Sequence, residues 1–230
     1  MIKAILMDFN GVVIDDEPLQ MKAYQEILAE DGVALTDEDY YSSLGMDDRT
    51  FVEAAFQRAG KETSPERIKE VIRAKSKKWA KMVEDKLPLF DGIENFVKKM
   101  SHDFSLGLVS MANRDDIEHV LERARLEPFF DIIVSAEDVS ACKPDPECYR
   151  TGFRLIDALR AGGGHLPITH EECLVIEDSP PGIAAAKAAD LRTLGVTNTV
   201  SADELRRAGA EYVAWNLDDW MPDTIRRVFA

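Results

Sequence analysis

The feature that most constrains this chain is an alternation of short runs dense in valine, isoleucine, leucine and alanine with stretches of helical spacing. The apolar runs are Ile2–Met7, Ser105–Val109, Ile132–Ser135, Cys173–Ile176, Thr193–Val196 and Tyr212–Ala214. Runs this short and this apolar suit strands covered on both faces. Helical patterns fill the intervals at Ile93–Met100, Asp115–Arg123, Glu147–Leu159, Gly182–Ala189 and Ala202–Ala208. Strand–helix alternation of this kind predicts an α/β fold with a Rossmann-like parallel sheet.

One stretch breaks the rhythm. From about Asp16 to Leu87 no strand pattern occurs, and helix follows helix. Met21, Tyr24 and Leu28 form one stripe, and Val52, Ala55, Phe56 and Ala59 another, stopped by Gly60. Thr36 with Asp39 fits a capping box, and Ser64–Pro65 is a cap with proline at the first helical position. The expected division is an α/β core of residues 1–15 and 88–230, with residues 16–87 as an inserted all-helical cap domain. Residues 65–86 hold eight Lys or Arg against four Asp or Glu, so this helix carries +4 while the rest carries −19. A solvated basic face explains that, as does an attraction for an anion entering beneath the cap.

The whole chain has a formal charge of −15, which argues against nucleic acid or an anionic membrane as partner. An anionic substrate would have to be drawn in by a local positive site. The three cysteines, Cys142, Cys148 and Cys173, form no CxxC pair and fit reduced thiols. The four histidines have no close partner at zinc-ligand spacing. No apolar stretch approaches the ~20 residues that span a bilayer, and the chain opens on a strand-like run rather than a leader pattern. A cytoplasmic monomer or weak homodimer is the expectation.

Four short motifs carry chemistry. Asp8 stands at the end of the first strand, with Gly11 allowing a sharp turn after it. In an open parallel sheet that edge borders the ligand crevice. Ser110 ends the next strand, and Asn113 opens a helix whose free N–H groups can receive phosphate oxygens. Lys143 precedes Pro144 and Pro146 in a rigid turn. Glu177 and Asp178 close a fourth strand, ahead of Ser179, two prolines and a small-residue helix. Two adjacent carboxylates at a strand end need a cation or a proton to compensate them.

In this order the four motifs resemble the haloacid dehalogenase superfamily, in its β-phosphoglucomutase-like subgroup, and the helical insert after the first motif resembles that family's cap. The resemblance implies an enzyme that hydrolyses a small phosphorylated metabolite. It implies Asp8 as nucleophile and a Mg²⁺ held by Asp8, the Asn10 backbone carbonyl, Asp178 and Glu177. Ser110 and Lys143 would bind the transferring phosphoryl group, with Lys143 also balancing the carboxylates. Cations must screen both partners before an anionic nucleophile meets a phosphate.

The chain departs from the family at Asn10, where phosphatases and mutases carry an aspartate that protonates the leaving oxygen. An amide has no proton to give. Either another group or a good leaving group takes over, or the substitution stalls the reaction, or the protein binds phosphorylated ligands without efficient turnover. If only the acid is missing, Asn10→Asp should raise hydrolysis of poor leaving groups by roughly 10²-fold. Gln20 stands where the mutases have a histidine, which favours hydrolysis over isomerisation. Arg49 aligns with the cap loop that inspects substrate. The dehalogenase branch has no need of magnesium, so the Glu177–Asp178 pair points away from it. Phosphonoacetaldehyde hydrolysis would need a cap lysine; Lys75, Lys77 and Lys78 are placed for it but read as a solvated face.

Overall fold

In the computed structural model, which describes residues 1–230, six parallel strands form one sheet in the order β3-β2-β1-β4-β5-β6. They are β1 (Ala4–Met7), β2 (Ser105–Val109), β3 (Ile132–Val134), β4 (Cys173–Glu177), β5 (Arg192–Val196) and β6 (Tyr212–Ala214). Each lies within two residues of its sequence expectation at either end. β1 and β4 are buried throughout, whereas the edge strands β3 and β6 are partly open.

Side chains alternate between the two faces, as strand geometry requires. Ile5, Met7, Leu106, Leu108, Leu174 and Ile176 enter one core with Phe96, Ile117, Val120 and Ile225. These last come from α5 (Ile93–Ser101), α6 (Arg114–Ala124) and α10 (Pro222–Val228). Ala4, Leu6, Val109, Cys173 and Val175 enter the opposite core, against α7 (Glu147–Gly162) and α8 (Pro180–Ala188). The remaining core helix is α9 (Ala202–Ala208). Sequence reading missed α10, and it ended α7 short of Gly162 because the glycine run that follows looked like loop.

Between β1 and β2 come α1 (Glu17–Glu30), α2 (Asp37–Tyr41), α3 (Asp48–Arg58) and α4 (Pro65–Met82). Tyr24, Leu28, Val33, Tyr40, Phe51, Val52, Phe56, Ile68 and Val71 give these helices a hydrophobic cluster of their own. The Thr36–Asp39 capping box and the Ser64 cap are both present. The two crossings between insert and sheet run side by side: Asp15 N donates to Pro88 O at 2.6 Å, and Ile14 bridges Leu89. The carboxyl end of α4 reaches back into the main core through Trp79 and Val83.

The sheet topology positions the site. The chain leaves β1 for β2 and β3 on one side and returns for β4, β5 and β6 on the other, so the order reverses beside β1. Crevices at such switch points are where open α/β sheets bind ligands. Met7 is level with Leu108 and with Ile176, so Asp8, Val109 and Glu177 come next at the same edge.

Candidate active site

Strand register gathers the four motifs at one point. Lys143 Nζ lies 3.0 Å from Asp8 Oδ1 and 2.7 Å from Glu177 Oε1, and is almost wholly buried. Oxygens of Asp8, Glu177 and Asp178 lie within 4.8 Å of one another. Two of these three carboxylates thus share one ammonium, in a place that water barely reaches, and the third stands beside them. Gly11 makes the close approach possible: its φ is +73°, and a Cβ there would sit 1.8 Å from Asp178 Oδ2.

The three carboxylates differ in what holds them. Glu177 Oε1 accepts from Lys143 and from Tyr149 OH, and Oε2 from Ser179 Oγ and from the Asp178 and Ser179 N–H groups. Burial alone would raise its pKa, but Lys143 and these donors outweigh burial and hold it below the usual range. Asp8 is pushed up to about 7, by burial first and by Glu177 second, with Lys143 opposing. Asp178 is pushed well up by burial and by its two carboxylate neighbours. Lys143 is held charged: burial acts against the ammonium, but Asp8 and Glu177 outweigh it. A cluster of hard oxygen donors with a surplus of negative charge suits Mg²⁺. Asp8 and Asp178 are its least compensated members, while both Glu177 oxygens already accept hydrogen bonds.

Ser110 is buried beside them, its Oγ accepting from Ala112 N at 3.1 Å. Asp8, Asn10, Gln20, Ser110, Lys143 and Asp178 all line one cavity of about 100 Å³ between sheet edge and insert. Glu177 lies just behind its wall. Arg49 does not join them: it is exposed and absent from the lining, and its neighbour Asp48 takes the inward position. Asp47 caps α3, so the helix begins one residue earlier than a substrate-facing Arg49 would need, and the arginine lands on the outer face.

The insert contributes residues that sequence reading overlooked. Lys75, expected on a solvated face, is 2% exposed and bonds Asp48 at 2.8 Å, with Asp116 at 3.6 Å. Burial works against its charge, but those two carboxylates prevail and raise its pKa. The signal was present in the sequence, since Ile68, Val71, Lys75 and Trp79 share one stripe of α4. Asp48 also accepts from Tyr24 OH and from Asn113 Nδ2 at the start of α6. Glu17 lines the cavity and accepts from Tyr40 OH; burial, then Asp16, push its carboxyl up to about 7.

Asp16 was the harder residue to foresee. An aspartate before Glu-Pro reads as a helix cap, yet Asp16 makes no cap bond. It is fully buried and accepts from Asn10 Nδ2, Gln20 Nε2 and Trp79 Nε1, at 2.9, 2.9 and 2.8 Å. Burial raises its pKa to about 6 against the pull of those three donors.

These shifts carry a pH signature. Asp8, Asp16 and Glu17 hold protons at about 7, 6 and 7 in the fold, against ordinary values of 3.8, 3.8 and 4.5. The folded chain therefore binds more protons than the unfolded one through that window, and stability falls as pH rises. Surface carboxylates whose pKa is lowered, such as Asp39 and Glu172, act below 4.5 and leave the window clear. The metal-free protein is expected to melt at a lower temperature at pH 8 than at pH 5.5. Added Mg²⁺ should raise the melting temperature more at pH 8, and the opposite order in calorimetry would contradict these assignments.

Comparison with known proteins agrees with the fold. Residues 5–196 match the family model described as haloacid dehalogenase-like hydrolase. The chain is 27% identical over 212 residues to a phosphorylated carbohydrates phosphatase of Thermotoga maritima, covering 91% of this chain and 92% of that one. It is 28% identical over 234 residues to the pyrophosphatase PpaX of Listeria monocytogenes, covering 100% and 95%. Its fold superposes on a β-phosphoglucomutase from Clostridium difficile with TM-score 0.85 at 20% identity, covering 100% and 97%. No helix is long and apolar enough to cross a membrane. With its match running from the first strand to the fifth, the chain belongs to the haloacid dehalogenase-like hydrolase family.

Proposed function

We propose that the protein is a Mg²⁺-dependent phosphatase of a small phosphorylated metabolite, working through a phosphoryl group carried on Asp8. The observation that supports it best is Lys143 between Asp8 and Glu177, beside the uncompensated Asp178. The Asp8 carboxylate attacks phosphorus and the ester P–O bond breaks. Water then attacks the phosphorus of the acyl phosphate, returning the carboxylate and releasing phosphate. Lys143 and Ser110 bind the phosphoryl oxygens, and Glu177 keeps Lys143 in place.

Asp8, Asp178 and the Asn10 backbone carbonyl would hold the metal, with Glu177 completing its acidic surroundings. When bound, Mg²⁺ neutralises charge on the nucleophile and the phosphoryl oxygens. The insert, residues 16–87, acts as a cap that excludes water during transfer. Hydrogen bonds donated by Asn113 to Asp48 and by Ser76 to Asp116 hold it against the sheet edge.

The Asn10–Asp16 bond favours a working enzyme over a stalled or merely binding one, because the Asn10 amide is tied to the buried Asp16 carboxylate. Glu17, the wall carboxyl outside the acidic cluster that titrates near neutrality, takes over the proton to the leaving oxygen. The relatives that act on phosphorylated carbohydrates and on pyrophosphate bracket the substrate range to test.

A phosphate-ester panel with Mg²⁺, read by released inorganic phosphate, tests the proposal. Turnover should vanish in EDTA and in Asp178→Ala. Full activity in EDTA would overturn the metal requirement, and tight ligand binding with no turnover of any ester would favour a binding protein.

A further inference from the structure

The basic charge of α4 is not spent at the catalytic cavity. Of the eight Lys or Arg in residues 65–86 only Lys75 lines that cavity, and Asp48 and Asp116 answer it. Lys78 pairs with Glu26, and Arg67 with Asp31. Lys77 and Lys81 pair with no carboxylate and line a second cavity, a groove of about 470 Å³ between α4 and α6. His119 and Arg123 of α6 form its other side, Glu84 is its one carboxylate and Ala80 its one apolar residue. No residue lines both cavities.

Cations near a helix end commonly serve its free carbonyls. At the end of α4 that role is already filled by Arg123, whose Nη1 donates to Val83 O at 2.9 Å and Nη2 to Glu84 O at 2.6 Å. Those acceptors are backbone, so the guanidinium keeps its charge and has further N–H groups to give. His119 Nε2 lies 3.5 Å from Arg123 Nη1, and the His119 ring meets Trp79 edge-on. Arg123 and His119 are thus held in place before any ligand arrives. Lys77 and Lys81 stand one helical turn apart on the facing helix. Like charges gathered without a counter-ion repel, and a bound anion removes that cost.

We infer that this groove is a second ligand site, for a small polyanion of two or three linked phosphates. Donors at four points, two on each helix and a turn apart, match linked phosphates better than one. A single phosphate would leave most of a groove this size to water. With Ala80 as its only apolar wall residue, the groove offers no pocket for a nucleotide base. Recognition is therefore of the phosphates, whether a nucleotide or an inorganic chain carries them. Because α4 belongs to the insert and α6 to the core, a polyanion held by both favours the state in which the insert is docked.

The test is calorimetric titration of inorganic tripolyphosphate into metal-stripped, chelator-free protein. Without metal the clustered carboxylates of Asp8, Glu177 and Asp178 repel a polyanion, so the groove is read alone. One equivalent should bind. Reversing both lysines, Lys77→Glu with Lys81→Glu, should weaken binding by roughly 30-fold or more, because like charges set against a ligand oppose it strongly. Lys98→Glu with Lys99→Glu on α5 changes the net charge equally but lies outside the groove, and should weaken binding less than about threefold. All four lysines are exposed, so both variants should fold as the parent does. A non-hydrolysable nucleoside triphosphate analogue should bind about as well as tripolyphosphate. Absence of binding to the parent protein, or equal weakening by the two pairs, would overturn the site. An analogue that binds far more tightly than tripolyphosphate would overturn recognition through phosphates alone.

Discussion

Asp8→Asn should lower phosphate release by roughly 10⁴-fold or more, because the variant loses the proposed nucleophile while keeping the side chain's shape. The same variant should be no less stable without metal at pH 8 than the parent. Asp8 is pushed up to about 7 by burial and by Glu177, so its ionised form is a burden on the empty fold. Loss of activity with stability kept or gained marks a residue placed for chemistry at a cost to the scaffold. A variant that melts well below the parent, or that retains more than a few per cent of activity, would contradict this role. Lys143 differs in kind. Removing it leaves Asp8 and Glu177 buried without their ammonium, and breaking a buried pair in this way costs about 3–5 kcal/mol.

Asn10→Asp is expected to fail as a simple restoration of the family's acid. Its new carboxylate would lie within hydrogen-bonding distance of Asp16, whose Oδ1 now accepts from Asn10 Nδ2 at 2.9 Å. Two buried carboxylates so close cannot both ionise. The single variant should lose about 3 kcal/mol at pH 8, and recover as pH falls toward 5 and one carboxyl takes a proton. Exchanging the pair, Asn10→Asp with Asp16→Asn, restores the neutral–charged contact. The double variant should regain stability and hydrolyse alkyl phosphates at close to the parent's rate, because Glu17 already supplies the proton. Such coupling is what a double-mutant cycle measures. Additive effects of the two substitutions, read by chemical denaturation and by phosphate release, would show that the Asn10–Asp16 bond carries no weight.

That second expectation shows where sequence reading ran out. The sheet was legible because each strand is a short apolar run, the central ones buried on both faces, and the carboxylate pair at 177 and 178 stood out because such pairs need compensation. The order of the motifs put Asp8, Ser110, Lys143 and Asp178 on one cavity, where register places them. Lys75 was misjudged because a lysine among lysines looks solvated, although its place on the stripe with Val71 and Trp79 marked the inner face. Arg49 lies exposed on the outer face, since one residue of helical phase exchanges it with Asp48. Asp16 could not be found from local pattern at all. Its partners Asn10, Gln20 and Trp79 lie up to sixty-three residues from it in sequence and meet only when α4 returns to the core. Tertiary contact turned a helix-cap signal into a buried network.

The pairing of Asn10 with Asp16 also bears on why the chain holds an amide at that position. A carboxylate has in effect been set one hydrogen bond further from the acidic cluster, where three N–H groups satisfy it. Asn10 is thereby turned with its amide nitrogen away from the reacting centre and cannot act as an acid. Its backbone carbonyl remains available.

The most direct measurement is to quench the protein with acid during steady turnover of a ³²P-labelled acyl or sugar phosphate and map the label by peptide. The account predicts Mg²⁺-dependent label on the peptide containing Asp8, absent from Asp8→Asn. Steady phosphate release with label on another residue, or label that forms equally in EDTA, would contradict it.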